Sequence, residues 1–440
     1  MEGCDILVIG AGASGLMAGY AAAAAIRSCE GESNADARPR VVILEKMPRP
    51  GRKLMITGKG RCNVTNAKPW EDFQHYIHPN ARFVRPAFYN FPPEKLLALL
   101  REFGVETVIE RGDRAFPASH KAADIVDALE RMVISAGASL FCGKEVKGVV
   151  RSPEGGFVVG CADGSSYKCK RLIVTTGGLS YPSTGSSGDG HRWMKGLGLE
   201  QKETFPALTA LVPKGYKNIS ESSANDPLGP GHIDRSTPLS EQGRLLCGIS
   251  LENIGLTVHI DGNEVFQETG DLDFTDGGIE GPLGFRVSRR CVHALRNGSK
   301  VQLEIDLKPG VGEERLRAKE QPLGRLLPPS IAQAFAMAAL KGPAKEALRA
   351  PLSPTAAHTL KHWCFHLAGY VGYERCAVTA GGVSLEEFSS KTLECKKIPG
   401  LYLAGELLDL DADTGGYNLQ MAFSTGYLAG GSAAKSLADA

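Results

Sequence analysis

The sequence contains no CxxC pair, no apolar run approaching the length of a membrane span and no excess of either charge. Each absence removes a class of protein. The 11 cysteines, scattered from Cys4 to Cys395, are odd in number and lack metal-ligand spacing. They disfavour a disulfide framework or a zinc ribbon and suit a reducing compartment. The first apolar run, Ile6 to Ile9, is too short for a signal peptide, so a cytoplasmic protein without a membrane partner is expected. Lys plus Arg number 50 against 49 Asp plus Glu, so any nucleic-acid surface has to be local. No Ser-His-Asp set and no carboxylate pair at a recognisable spacing marks a general acid, and no catalytic side chain is assigned. A chain of 440 residues is long enough for two or three packed domains and too long for one ordinary core.

What is present begins at the N-terminus. Asp5-Ile6-Leu7-Val8-Ile9 is a β-branched run of buried-strand type, and Gly10-Ala11-Gly12-Ala13-Ser14-Gly15 follows it at once. Leu16 to Ile26 is Ala-rich with high helix propensity, and Val41-Val42-Ile43-Leu44 is a second strand ending in Glu45. In this strand-helix-strand context GxGxxG is a dinucleotide fingerprint. Gly10 serves the tight turn, Gly12 the close approach of a pyrophosphate and Gly15 the packing of helix on strand; Ala11 and Ser14 belong to the same site, and the helix N-terminus then faces the phosphates. Glu45 is placed to accept hydrogen bonds from ribose hydroxyls and would repel a 2′-phosphate, so FAD or NAD is expected rather than NADP. It lies further from the glycines than the usual spacing of about 20 residues. The polar stretch 28–38 accounts for the difference as a loop inserted between helix and strand.

After Glu45 come Lys46-Met47-Pro48-Arg49-Pro50-Gly51-Arg52-Lys53-Leu54 and then Thr57-Gly58-Lys59-Gly60-Arg61-Cys62-Asn63-Val64-Thr65-Asn66. With these segments the sequence resembles the bacterial flavoproteins grouped as BaiN-like or aminoacetone-oxidase-like NAD(P)/FAD-dependent oxidoreductases, which include ribosomal RNA dihydrouridine synthase-like members. The resemblance implies FAD, held in part by Lys46, Gly51, Arg52, Lys53, Thr57, Gly58, Gly60, Arg61, Cys62 and Asn63. Glycines and an Asn let the backbone turn tightly beside a cofactor, and Arg52, Lys53 and Arg61 offer positive charge to a pyrophosphate.

The resemblance extends over most of the chain. Phe116-Pro117-Ala118-Ser119 leads into a helix, and Val146, read as ending a strand after Leu140-Phe141, is where such proteins place a backbone contact to adenine. Leu172 to Thr175 is a strand entering the turn Thr176-Gly177-Gly178. Asp189, in the loop that follows, either orients a ribityl or phosphate neighbour or closes an Asx turn. Near the C-terminus, Gly400-Leu401-Tyr402-Leu403-Ala404 precedes Gly405, Glu406 and Asp409. Gly415, Gly416, Tyr417, Asn418 and Leu419 then open a helix whose N-terminus is expected to face the isoalloxazine. The family usually has glycine where Ala412 stands, which would alter a backbone position favouring φ > 0.

The expected fold is α/β: a Rossmann-like FAD-binding domain of glutathione-reductase type with an inserted β-rich, barrel-like domain and a small helical subdomain. Residues 1–205 form the first part of the FAD domain, 206–310 the β-rich insert, 311–370 the helical subdomain and 371–440 the second part of the FAD domain. Leu256 to Ile260 and Val301 to Ile305 have strand period, and 217–243 reads as a long loop or disordered excursion. Glu280, in Phe274-Thr275-Asp276-Gly277-Gly278-Ile279-Glu280-Gly281-Pro282, stands where the family has serine. If that serine faces substrate in relatives, substrate preference differs here.

Two features are read structurally. His358, His362 and His366 recur at helical spacing, but three successive turns of one helix do not converge on one ion, so no metal is expected. Cys62 has no resolving cysteine nearby and reads as a small buried residue in a tight loop. With one dinucleotide motif only, NAD(P)H is expected as a transient electron donor to FAD. The leading expectation is reduction of a conjugated or uracil-like C=C bond in a small molecule or ribosomal RNA, with no stable protein partner. The alternatives are an amine oxidase using oxygen and an FAD-stabilised RNA-binding or scaffold protein.

Overall fold

A strand whose side chains are apolar on both faces belongs at the centre of a covered parallel sheet, and that is where β1 (Glu2–Ile9) lies, with Ile6, Leu7 and Val8 wholly buried. β1 leads into α1 (Ala13–Glu30) and then β2 (Val41–Glu45), which pairs with it in parallel. The strand Ser166–Val174 pairs in parallel on the other side of β1 and carries Leu401–Leu403 beyond it, also parallel. Ser139–Cys142 extends the sheet past β2. Phe157–Cys161 and Val146–Arg151 add an antiparallel hairpin. Val146 therefore begins a strand rather than ending one, a correction to the sequence reading; Leu140 and Phe141 belong to the strand before it.

The computed structural model describes residues 1–30, 40–219, 229–318 and 321–438. It divides into two units: Met1–Thr204 with Val378–Ala440, and Phe205–Ala377. The expected loop at 28–38 lies largely outside the described residues, as do 220–228 of the expected excursion at 217–243; the described part of that stretch carries the strand His232–Ile233 and the start of the helix Glu241–Leu246, so it is not loop throughout. Among the described residues no helix is long and apolar enough to cross a membrane.

In the first unit α1 lies along the C-terminal helix Tyr417–Ala438 at a separation only glycine allows. A Cβ on Gly426 would stand 2.2 Å from the Ser14 carbonyl oxygen, and one on Gly430 2.1 Å from that of Ala18. The end of the chain is thus packed on the helix that carries the glycine fingerprint.

The second unit is a closed six-stranded antiparallel barrel. Leu211–Pro213, Ile279–Glu280, Asn263–Phe274, Ser250–Ile260, Val301–Asp306 and Trp363–Val371 pair in that order, and the last returns to the first. His232–Ile233 joins outside the ring. Short helices lie between Glu313 and Ala318 and between Leu323 and Lys361, but the stretch from Trp363 to Tyr370, expected to belong to the helical subdomain, is part of the closing strand Trp363–Val371, with buried and exposed side chains alternating through His366. Its residues satisfy period two as well as the helical spacing read from the histidines. Consequently the second unit runs to Ala377, past the boundary expected at 370.

Glu280 does not project from the turn it occupies. Its two oxygens accept from Arg375 Nε (2.6 Å) and Nη2 (3.0 Å), while Arg375 Nη1 donates to Asp276 (2.5 Å). The side chains of Arg375 and Glu280 are only 16% and 11% exposed. A buried carboxylate stripped of its cation is costly, so Arg375→Leu is expected to lose about 3–5 kcal/mol in urea unfolding. Glu280→Gln in the same background should recover most of it. A loss below about 1 kcal/mol, the ceiling for a solvated surface pair, would mean that the pair does not hold this turn.

Candidate functional site

The glycine turn is built by backbone contact. Gly10 donates its N–H to the Leu44 carbonyl (2.8 Å) and has φ 98°, and a Cβ there would meet the Thr175 carbonyl oxygen at 2.7 Å. A Cβ on Gly15 would lie 1.8 Å from the Gly10 oxygen, whereas one on Gly12 meets nothing within 4 Å. Gly10 and Gly15 close the turn; Gly12 opens onto free space at the start of α1. Glu45 is held at the end of β2 by the N–H groups of Ala11 (2.7 Å) and Met47 (2.8 Å), one on each carboxylate oxygen. Burial pushes its carboxyl up, against these two bonds and the Lys46 charge. Each oxygen keeps a lone pair for a ribose hydroxyl. Gly51, at φ 66°, donates to the Ala11 carbonyl (2.9 Å), which fixes the following segment to the turn.

The three cations expected to serve a pyrophosphate have different surroundings. Lys53 Nζ donates to Glu406 (2.9 Å) and Ser180 (2.8 Å), and Arg52 is exposed. Arg61 pairs with Glu110, approaches His120 Nδ1 (3.0 Å) and stacks 4.2 Å from the Phe116 ring centre. Arg61 is thereby committed to holding its own loop. Lys46, not singled out for charge, reaches Ser187 (2.6 Å) and Asp189 (2.7 Å). Asp189 also pairs with Arg192. Burial opposes the Asp189 charge, but the Lys46 and Ser187 bonds hold its carboxyl below the ordinary value.

The loop from Thr57 to Cys62 is left-handed at four positions: Gly58 (φ 57°), Lys59 (φ 57°), Gly60 (φ 86°) and Cys62 (φ 58°). At Lys59 and Cys62, which have a Cβ, this conformation costs about 1–3 kcal/mol each, the kind of strain that gathers at functional sites. Cys62 is wholly buried and its thiol is pushed up to about 11 by burial. It is a neutral thiol at physiological pH, and all described cysteines are free.

The two ends of the chain meet directly after this loop. Asn63 donates its amide N–H to the Thr65 carbonyl (3.1 Å) and accepts from the Gly416 N–H (3.1 Å). Asn66 Nδ2 donates to the Gly415 carbonyl (3.0 Å), and Thr65 Oγ1 to Gln420 Oε1 (2.6 Å). A Cβ on Gly416 would stand 2.4 Å from the Thr65 carbonyl carbon. Tyr417 is buried, stacked on Tyr76 with ring centres 4.3 Å apart, and Leu419 is half-buried. Asn418 shapes its own loop, accepting from Ala412 N–H (2.8 Å) and donating to Ala412 O (2.6 Å). Ala412 itself is in a strand paired with Ile77, in extended backbone, so no left-handed position is lost where the family has glycine.

Gly405 closes the ring of contacts. Its N–H donates to Thr425 (3.0 Å), its φ is 74°, and a Cβ would lie 2.5 Å from Ser14 Oγ. Glu406 accepts from Lys53, Ser180 (2.8 Å) and the Thr379 N–H (2.7 Å). Burial works against its charge, yet the Lys53 ion pair and these bonds keep its carboxyl below the usual range. Asp409 donates its N–H to the Val383 carbonyl (2.9 Å). In the turn after Ser166–Val174, Gly177 has φ 74° and Gly178 packs on Thr379. Val146, by contrast, is tied into its hairpin opposite Cys161. Sequence reasoning missed Thr425, the acceptor of the Gly405 N–H, the Ser180 and Thr379 ligands of Glu406, and a cavity of about 510 Å³ beside Leu179, His191 and Gln201. His191 Nδ1 lies 3.2 Å from Gln201 Oε1, and burial pushes the imidazole below its ordinary value. A lone histidine in a Gly-rich stretch carries no sequence signal of this.

These residues fit FAD. Gly12 leaves open the space a pyrophosphate needs, Glu45 is set for a ribose, and Thr176 Oγ1, which faces Gly190, is buried with no hydrogen-bond partner among the described residues. Comparison with known proteins agrees. The family profile described as HI0933-like protein Rossmann domain matches residues 4–432. A 3-dehydro-bile acid delta(4,6)-reductase of Clostridium scindens is 29% identical over 452 residues, covering 97% of this chain and 98% of that protein. Ribosomal RNA dihydrouridine synthases of Escherichia coli and Haemophilus influenzae are 27% and 29% identical, over 97% and 96% of this chain and the same shares of their own. Because the match spans nearly the whole chain and the glycine cradle has the required geometry, the protein belongs to the HI0933-like Rossmann-domain family of flavoprotein oxidoreductases.

Proposed function

We propose that the protein reduces a carbon–carbon double bond conjugated to a carbonyl, in an enone or a uracil-like ring, with NAD(P)H as electron donor. The observation that carries this reading is the union of the two chain ends at Asn63, Thr65 and Asn66 with Gly415, Gly416 and Gln420, beside a strained left-handed loop. That is a rigid place for a flavin ring, and the relatives are named a 3-dehydro-bile acid delta(4,6)-reductase and ribosomal RNA dihydrouridine synthases, names that fit the addition of two hydrogens across such a bond. Bound FAD would supply two-electron chemistry, a hydride accepted from NAD(P)H and passed to carbon. The chain's own part is positioning. Gly10, Gly12 and the first turn of α1 hold the pyrophosphate, Glu45 takes ribose hydroxyls, and the helix opening at Tyr417 sets its positive end toward developing negative charge. With a single dinucleotide motif, donor and acceptor bind in turn, giving ping-pong kinetics. A cytoplasmic enzyme without a stable protein partner suits a diffusible donor and a small-molecule or ribosomal RNA acceptor.

The test is anaerobic mixing of the yellow protein with NADH or NADPH, followed by an enone steroid or uridine-containing ribosomal RNA. Bleaching by the nucleotide, slow recovery in air and fast recovery with one acceptor are expected. Bleaching by an amine instead, with fast reoxidation by oxygen, would replace this reading with an oxidase. Failure of every donor to bleach the protein would replace it with a non-catalytic one.

A further inference from the structure

The histidines read from the sequence as one helical stripe are separated by the fold, and a different residue replaces one of them. The helix Pro354–Lys361 ends after His358, His362 caps it, and His366 lies out on the barrel strand. Into the gap comes Glu313, the first residue of the helix Glu313–Ala318. His358 Nδ1 is 3.2 Å and His362 Nε2 3.9 Å from the same oxygen, Glu313 Oε2. The imidazole centres are 4.6 Å apart, and all three ligand atoms lie within 4.8 Å of one another. Ligands bound tetrahedrally at about 2.0–2.2 Å, as around zinc, are separated by roughly 3.3 Å. The set is therefore within a small side-chain adjustment of closing on one ion.

What distinguishes this cluster from a chance ion pair lies behind His362. Its other nitrogen, Nδ1, is 2.8 Å from Glu304 Oε1, on the barrel strand Val301–Asp306. A carboxylate on Nδ1 fixes that nitrogen as the N–H and aims the Nε2 lone pair away from it, toward Glu313; this carboxylate–histidine arrangement is the usual support of a metal ligand. The corner is also held in advance. Lys361 Nζ donates to the Lys308 and Val311 carbonyls (2.8 Å each) and pairs with Asp306, anchoring the loop that delivers Glu313. Glu313 spends its other oxygen on Arg317, leaving Oε2 to the two imidazoles.

We propose that Glu313, His358 and His362 form a binding site for a divalent transition metal ion of the zinc class, with Glu304 orienting His362. Two imidazoles and one carboxylate leave a fourth position to water, and a borderline-soft divalent cation is the class that this mixed N/O set selects over magnesium or calcium. The ion would staple the helix Glu313–Ala318 to the corner between the helix Pro354–Lys361 and the barrel. Its role is independent of the flavin chemistry proposed above.

The FAD-loaded protein, stripped with chelator, is titrated with Zn²⁺ by calorimetry and by thermal shift. One ion per chain and a raised Tm are expected. Glu313→Gln and His362→Gln should each abolish the Tm rise. Glu304→Gln, which removes only the orienting carboxylate, should weaken binding by about 10- to 100-fold. Cys364 is exposed, 3.7 Å from Glu304 Oε2, and is the nearest rival ligand, so Cys364→Ser should leave the titration unchanged. Zinc binding that survives Glu313→Gln and His362→Gln, or that disappears in Cys364→Ser, overturns the assignment, as does absence of binding to the parent protein.

Discussion

Gly12→Asp is expected to purify folded and colourless. A side chain at this position meets nothing within 4 Å, so the substitution costs the polypeptide little; its carboxylate instead enters the space reserved for the pyrophosphate. Two like charges about 4 Å apart repel by about 4 kcal/mol at an effective dielectric of 20, about a thousandfold in affinity, and a pyrophosphate carries more than one charge. The neighbouring glycines behave differently. Gly15→Ala would press a methyl to 1.8 Å from the Gly10 oxygen, so it should lose the fold along with the cofactor. Measuring the flavin-to-protein absorbance ratio beside a circular-dichroism melt separates the two outcomes. A Gly12→Asp protein that retains full flavin absorbance would remove the cofactor from α1 altogether.

The contrast between Gly12 and Gly15 also marks what can be read from a sequence. The glycine fingerprint was legible because each glycine answers a local backbone demand, and the flanking β-branched runs fix where the turn must be. The union of the chain ends was legible only through resemblance. Nothing local in Asn63 or Thr65 announces Gly416 or Gln420 as partners, since that pairing arises from the packing of α1 on the C-terminal helix through Gly426 and Gly430. Glu280 could not be read at all without Arg375, distant in sequence and adjacent in space. The closing barrel strand was misread for a different reason. His358, His362 and His366 satisfy a period of four, but Trp363, Phe365 and Leu367 satisfy a period of two, and barrel closure decided between them. Ala412 shows the converse error. A glycine in relatives need not mean a left-handed residue, and here the position is extended and tied to Asn418.

Lys53→Met should invert the pH dependence of stability that Glu406 contributes. In the folded protein Glu406 titrates below its ordinary range, although burial works the other way, because Lys53 and the Ser180 and Thr379 donors outweigh it. A carboxyl depressed on folding stabilises above its unfolded value, about 4.3 for Glu, and that stability is lost as pH falls through the lower folded value. Without the ammonium, burial dominates and the folded carboxyl rises above the unfolded one. Glu406 then destabilises at neutral pH, and the penalty is relieved as acid protonates it. Because the Glu406 side chain keeps 20% exposure, the cost at pH 7 should be about 1–3 kcal/mol, short of the full price of a buried unpaired charge. Urea unfolding at saturating FAD, compared at pH 7 and pH 5, should show the parent contribution level, since its loss begins only below about pH 4.3, and the variant gaining stability at pH 5; Glu406→Gln added to Lys53→Met should restore most of the loss at pH 7 while abolishing that gain. If Lys53→Met instead follows the parent curve at both values, the pair is a solvated surface contact, and the ordering of Gly405 and Glu406 beside Ser14 rests on Thr425, Ser180 and Thr379 alone.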